Sequence, residues 1–91
     1  MPGLDQAART EFLAEHPDWA LRGETITRTF TFTDFNEAMG FVTRVALASE
    51  VADHHPDIDI RWNRVAIALS THEAGALTEK DTSLAAQFDE F

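Results

Sequence analysis

The chain has 91 residues, 44% of them hydrophobic, and no cysteine; it can form one modest core but no disulfide framework or cysteine zinc site. Sixteen acidic against seven basic residues give a formal charge of −9, a field that repels phosphate backbones and disfavours direct nucleic-acid binding. No apolar run approaches the ~18 residues of a membrane span, and Met1–Thr10 lacks a signal-peptide core, so the expectation is a soluble, cytoplasmic, single domain over residues 1–91.

A first helix is predicted from roughly Asp5 to Glu15, with Leu4, Ala8, Phe12 and Leu13 on its buried side. Pro17 ends it, because the residue before a proline avoids the helical region. His16 at that end reads as a partly exposed cap residue. Trp19 to Arg22, a turn at Gly23-Glu24, and Thr25 to Phe32 read as a hairpin. Its second strand sets Ile26, Arg28, Phe30 and Phe32 against four threonines, which suit the more exposed face.

A long helix begins at Thr33 or Asp34, either of which can cap it, with Glu37 placed for a capping arrangement. Phe35, Ala38, Met39, Val42, Val45, Ala46 and Ala52 trace an apolar stripe. Phe41, Leu47 and Val51 fall off its centre, so a second face is expected to be covered by an oligomer contact or by neighbouring core. The helix runs out near Asp53-His54-His55, before Pro56.

Two short alternating strands follow. A turn at Asn63-Arg64 would pair Trp62 with Val65, Ile60 with Ile67 and Ile58 with Leu69, collecting six large apolar side chains on one face. The same register, continued outward, sets His55 opposite His72. Three histidines (His54, His55 and His72) would then meet at the open end of one hairpin. Beyond a loop, Thr78 reads as the N-cap of a final helix, with Asp81 near its third position and Leu84, Ala85 and Phe88 inward. The order is α-β-β-α-β-β-α, the α+β class: two hairpins in one four-stranded antiparallel sheet, helices packed on one face. Which strands adjoin at its middle is not readable from the pattern.

Imidazole is the side chain best suited to moving protons near neutral pH. His54 and His55 lie at a helix C-terminus, His72 at a strand end, so groups on separate elements can hold opposite protonation states around one substrate. Glu50, one turn before His54, could orient its ring; Asp53 is a weaker candidate. Three imidazoles could instead ligate zinc, but adjacent histidines point in different directions and there is no HExxH helix. Asp81 is economically explained as a capping-box carboxylate. Trp62 reads equally as core or pocket wall.

The spaced set Glu50-x-x-x-His54-His55-Pro56, then Trp62, His72 and Asp81, resembles the signature of the pterin-4a-carbinolamine dehydratases. Phe32-Thr-Asp-Phe-Asn-Glu-Ala-Met-Gly-Phe-Val-Thr-Arg-Val-Ala-Leu and Leu69-Ser-Thr-His-Glu are also similar to family segments, so the resemblance runs from Trp19 to about Phe88. It implies a four-stranded antiparallel sheet with helices on one side. It implies dehydration of 4a-hydroxytetrahydropterin to quinonoid dihydropterin, recycling the tetrahydrobiopterin used by aromatic amino-acid hydroxylases, with no metal or organic cofactor. His54, His55 and His72 would be the acid–base residues, Glu50 would orient them, Asp81 would support the pocket wall, and Trp62 would flank the pterin or only pack the sheet. The resemblance further implies a homodimer or homotetramer, with a protein partner in some members. Ile58 and Ala74 replace an aromatic and a cysteine of animal members, and Gly75-Ala76-Leu77 departs from the usual loop; these leave pocket shape and substrate preference open. The alternative reading is a dehydratase-like assembly protein that stabilises a partner without catalysis.

Overall fold

A computed structural model describes residues 3–91; Met1 and Pro2, the start of the segment read for a signal peptide, lie outside the described residues. The elements are α1 (Gln6–Glu15), β1 (Ala20–Arg22), β2 (Thr25–Thr31), α2 (Phe35–Ala52), β3 (Asp57–Arg61), β4 (Arg64–Leu69) and α3 (Glu79–Phe88). The sheet is antiparallel throughout, in the order β1-β2-β4-β3. Its interior face carries Ile26, Phe30, Val65, Ile67 and Leu69, all buried under the helices. The threonines of β2 take the opposite parity, as the alternation requires.

The cap of α3 falls where the spacing placed it, that of α2 on one of the two residues the spacing offered, and α1 starts after Asp5, which caps it. Asp5 accepts a hydrogen bond from the Ala8 amide, Asp34 accepts one from Glu37, and Thr78 with Asp81 forms a complete capping box. Asp34, not Thr33, is the N-cap of α2. Glu37 reaches back one residue further than a capping box would, and accepts from the Thr33 amide at 3.0 Å.

The buried stripe of α2 runs through Ala38, Phe41, Val45 and Ser49. It is therefore rotated from the predicted one. Phe41 is central, with its ring 4.5 Å from that of Phe30 and 5.0 Å from that of Phe32. Phe35, placed in the stripe by spacing, is half exposed. The hidden member was Ser49, a polar residue whose hydroxyl donates to the Val45 carbonyl at 2.7 Å and so tolerates burial. Leu47 and Val51 lie on the outward side of α2, 65% and 90% exposed, so nothing among the described residues covers them.

The second hairpin corrects the predicted register. Ile60 faces Val65 and Ile58 faces Ile67, so the turn is Trp62-Asn63, not Asn63-Arg64. The two registers differ by two residues, which leaves every side chain on the same face, so alternation could not separate them. Asn63 decides between them. Its Nδ2 donates to the Phe32 carbonyl at 2.9 Å, and the Phe32 amide donates to the Asn63 carbonyl at 2.8 Å, drawing it into the turn. Trp62 consequently adopts φ 52° and stands in solvent. A bulky side chain there costs about 1–2 kcal/mol.

A polar cluster closes the fold at the other end of α3. Asp89 accepts from Trp19 Nε1 at 2.9 Å and from Arg28 Nη1 at 2.7 Å, and its other oxygen lies 2.7 Å from His16 Nδ1. His16 is thus the C-cap of α1, as expected, and also stacks on Phe12. The cluster explains how Arg28 shares the parity of the core: its guanidinium lies 4.1 Å from the Phe30 ring centroid, with Asp89 at its tip.

Candidate functional site

The histidine pair is split by the way α2 ends. Asp53 takes the left-handed conformation (φ 51°), and the His54 amide donates back to the Ser49 carbonyl at 3.1 Å. Glycine usually fills this position, and aspartate is among the few residues that tolerate it. The chain leaves the helix sharply, so His54 turns inward and His55 outward. Asp53 shapes the site through its backbone; among the described residues its carboxylate makes no hydrogen bond or ion pair.

His54 is buried, with Nε2 2.5 Å from Oδ1 of the fully buried Asp81. The second oxygen of Asp81 accepts from the Thr71 hydroxyl at 2.8 Å and from the Thr78 amide at 2.9 Å. Thr71 spends its only hydroxyl hydrogen on Asp81, so the 2.7 Å contact between the two threonines is donated by Thr78. Asp81 therefore serves three elements at once: the end of α2, the residue before His72, and the start of α3. The capping role assigned by spacing is present, and the partnership with His54 is added to it.

His55 lies on the surface with Nε2 2.8 Å from Glu50 Oε1. Glu50 thus orients His55, not His54. A helix pair one turn apart does face along the axis, but the left-handed residue between them rotates His54 away. His72 begins the turn after β4, closed by a bridge between Thr71 and Ala76 and by Gly75 at φ 62°.

The predicted pairing of His55 with His72 across the ladder does not occur, since the observed register continued outward would set Ser70 opposite His55. Both rings nevertheless line one cavity of about 460 Å³, together with Thr25, Asp57, Ser70 and Gly75. That volume falls in the ~300–1,000 Å³ range of small-molecule pockets. His54 instead borders a larger, mainly apolar hollow of about 740 Å³ between α1, the end of α2 and α3, lined by Leu4, Ala8, Ala52 and Leu84 among others. The smaller cavity holds more of the proton-transfer chemistry, and chemistry outranks size here.

Glu73 follows His72 in the chain. Its carboxyl is held below the usual carboxylate range, chiefly by a hydrogen bond from its own backbone N–H, with smaller attractions from Lys80, His54 and His72. Sequence reasoning does not single out Glu73 or Thr71, for which adjacency to His72 is the only signal, and it places Thr78 as a cap without its contact to Thr71. Trp62, at the turn end of β3, lines a separate hollow with Thr31 and Arg64. About five residues of strand, roughly 17 Å, separate it from Asp57 in the histidine cavity. Among the described residues no group of three His, Cys, Asp or Glu side chains is arranged to hold a metal ion. No helix among them is long and apolar enough to cross a membrane.

Fold and site define an α+β domain with a histidine-lined cavity at one end of an antiparallel sheet. The family model of pterin 4 alpha carbinolamine dehydratase matches residues 2–91, and the chain belongs to that family. Relatives in Chloroflexus aurantiacus (57% identical, 99% of this chain and 97% of theirs) and Thermomicrobium roseum (50%, with the same coverage) are provisionally named for the same family. A crystal structure of a "transcriptional coactivator/pterin dehydratase" from Brucella melitensis superimposes with a TM-score of 0.92 at 36% identity, covering 97% of this chain and 96% of that one. A pterin dehydratase-like RuBisCO assembly factor of the alpha-carboxysome shares the fold alone: TM-score 0.65, 23% identity, 79% and 83% covered.

Proposed function

We propose that this chain is, as one domain, a hydro-lyase that dehydrates 4a-hydroxytetrahydropterin to quinonoid dihydropterin in tetrahydrobiopterin recycling. The observation that carries this is the pair of imidazoles, His55 and His72, brought from separate elements to one ligand-sized cavity. One of them, as imidazolium, donates a proton to the departing hydroxyl. The other, neutral, accepts the proton of the adjacent ring nitrogen. The C–O bond breaks, water leaves, and the nitrogen's electron pair forms the C=N bond, so atoms and charge balance. Positioned acid–base groups of this kind contribute about 10²–10⁴-fold. His54, which borders the neighbouring hollow, supports the site through Asp81 and Thr71, the residue before His72, and Glu50 holds His55.

The deciding experiment is stopped-flow turnover of 4a-hydroxytetrahydropterin by wild type and His72→Ala. Equal rates, both at the uncatalysed background, would defeat the reading.

A second reading is an assembly role, in which the domain stabilises a protein partner. It is supported by the exposed Leu47 and Val51 on α2 and by the coactivator named in the Brucella relative's description. The same apolar pair supports a homo-oligomer of this chain. A cytoplasmic location belongs with the proposed activity.

A further inference from the structure

We infer that Glu24, in the β1–β2 turn, is a positioning residue for the loop that carries His72, because it holds both feet of that loop at once. The Ser70 hydroxyl, on the strand entering the loop, donates to the Glu24 backbone carbonyl at 2.9 Å. The Leu77 amide, on the segment leaving it, donates to Glu24 Oε1 at 3.0 Å. One residue, distant in sequence from either, spans the loop from outside.

The loop is otherwise a self-contained unit. Thr71 and Ala76 exchange backbone hydrogen bonds at 3.1 and 3.3 Å, the Ala74 amide donates to the Thr71 carbonyl, and the Gly75 amide donates to His72 at 3.1 Å. The Thr71–Ala76 pair that closes the loop lies directly between the two feet, so the tilt of the loop and the opening of that pair are set where Ser70 and Leu77 attach. Asp81 grips it from within through Thr71. Glu24 grips it from without.

Glu24 is itself held. Arg9 on α1 donates through Nη1 and Nη2 to its two oxygens at 3.0 and 2.7 Å, and Arg9 Nε donates to the Leu4 carbonyl at 2.8 Å. The Leu4 amide then donates to the Leu77 carbonyl at 2.8 Å, closing a ring of contacts around Leu77. Bidentate arginine pairing fixes a carboxylate in angle as well as position. Glu24 does not line the histidine cavity; its neighbour Thr25 does. Its effect would therefore pass through the placement of His72, where a shift of an ångström can cost up to about a hundredfold in rate.

The inference rests on the dehydratase reading for its rate test and on backbone exchange for a test independent of it. Glu24→Ala should lower kcat about tenfold with KM within about twofold. It should also speed amide hydrogen exchange of Thr71, Gly75 and Ala76 while leaving Val45 and Leu84 unchanged. Glu24→Gln, whose amide oxygen still accepts from Leu77, should recover most of both. Ser70→Ala, freeing the other foot, should loosen the same amides and provides the test if Glu24→Ala does not fold. Wild-type kcat and wild-type loop exchange in Glu24→Ala would overturn the inference. So would acceleration of all amides alike, which is global destabilisation. A wild type without turnover would defeat the dehydratase reading alone, and the exchange pattern would still decide the role of Glu24.

Discussion

His54 Nε2 and Asp81 Oδ1, 27 positions apart in the chain, lie 2.5 Å from each other in the interior. Around them Thr71 and Thr78 fill the other oxygen of the carboxylate, so the whole group is paired although out of reach of water. Such a network is stable only when complete. Asp81→Ala would strand the His54 N–H, the Thr71 hydroxyl and the Thr78 amide, and a buried pair broken on one side typically costs about 3–5 kcal/mol. Urea denaturation should show a loss of that size, with Asp81→Asn milder at about 1–3 kcal/mol. A change below about 1 kcal/mol for the alanine variant would mean the network is not stabilising the fold.

The exposed histidines should behave in the opposite way. His55→Ala and His72→Ala remove side chains that stand largely in solvent, so stability should change by no more than about 0.5 kcal/mol. Turnover should nevertheless drop by about 10²–10⁴-fold in each. Thermal melts run beside the stopped-flow assay separate the two effects. Activity lost in proportion to stability would argue that neither ring takes part in chemistry.

Trp62 offers a stabilising substitution. Its left-handed backbone favours glycine, and the residue is 66% exposed, so little packing is forfeited. Trp62→Gly is expected to be neutral or to raise stability by up to about 1 kcal/mol, the entropy cost of glycine partly offsetting the relieved strain. Denaturant midpoints measure this. A clear loss would place the indole in a contact outside the single chain.

On α2, Phe41→Ala should cost about 3–5 kcal/mol, as expected for an aromatic deleted from a packed centre. Leu47→Asp combined with Val51→Asp should leave the monomer's fold intact but change the sedimentation coefficient, because the proposed oligomer would use that face. Identical sedimentation of the double variant and wild type would remove the outward face of α2 from any self-association.

Acid should expose the Glu24 contacts. Arg9, then the Leu77 amide, hold its carboxyl below the ordinary value of 4.5. A depressed carboxyl contributes stability that is fully present above 4.5 and is lost as pH falls through the lower folded value. The difference in melting temperature between wild type and Glu24→Gln should therefore be constant above about pH 5 and shrink below 4.5. A gap independent of pH would assign the contact to hydrogen bonding without charge.

By itself the sequence determined the element order, the cap at Thr78, the choice of Thr33 or Asp34 as the cap of α2, the face taken by each strand and the residues from which a site could be built. These follow from signals that are local: period-two alternation, proline breaks, and capping side chains within one turn of the backbone they serve. Only the tertiary structure decided which carboxylate serves which histidine, because a left-handed residue at Asp53 turns two neighbours in opposite directions. The hairpin register likewise waited on the contact of Asn63 with Phe32, since two registers of equal parity look alike along the chain. The orientation of α2 was set by burying Ser49, whose hydroxyl is satisfied within its own helix and so leaves no apolar mark in the sequence.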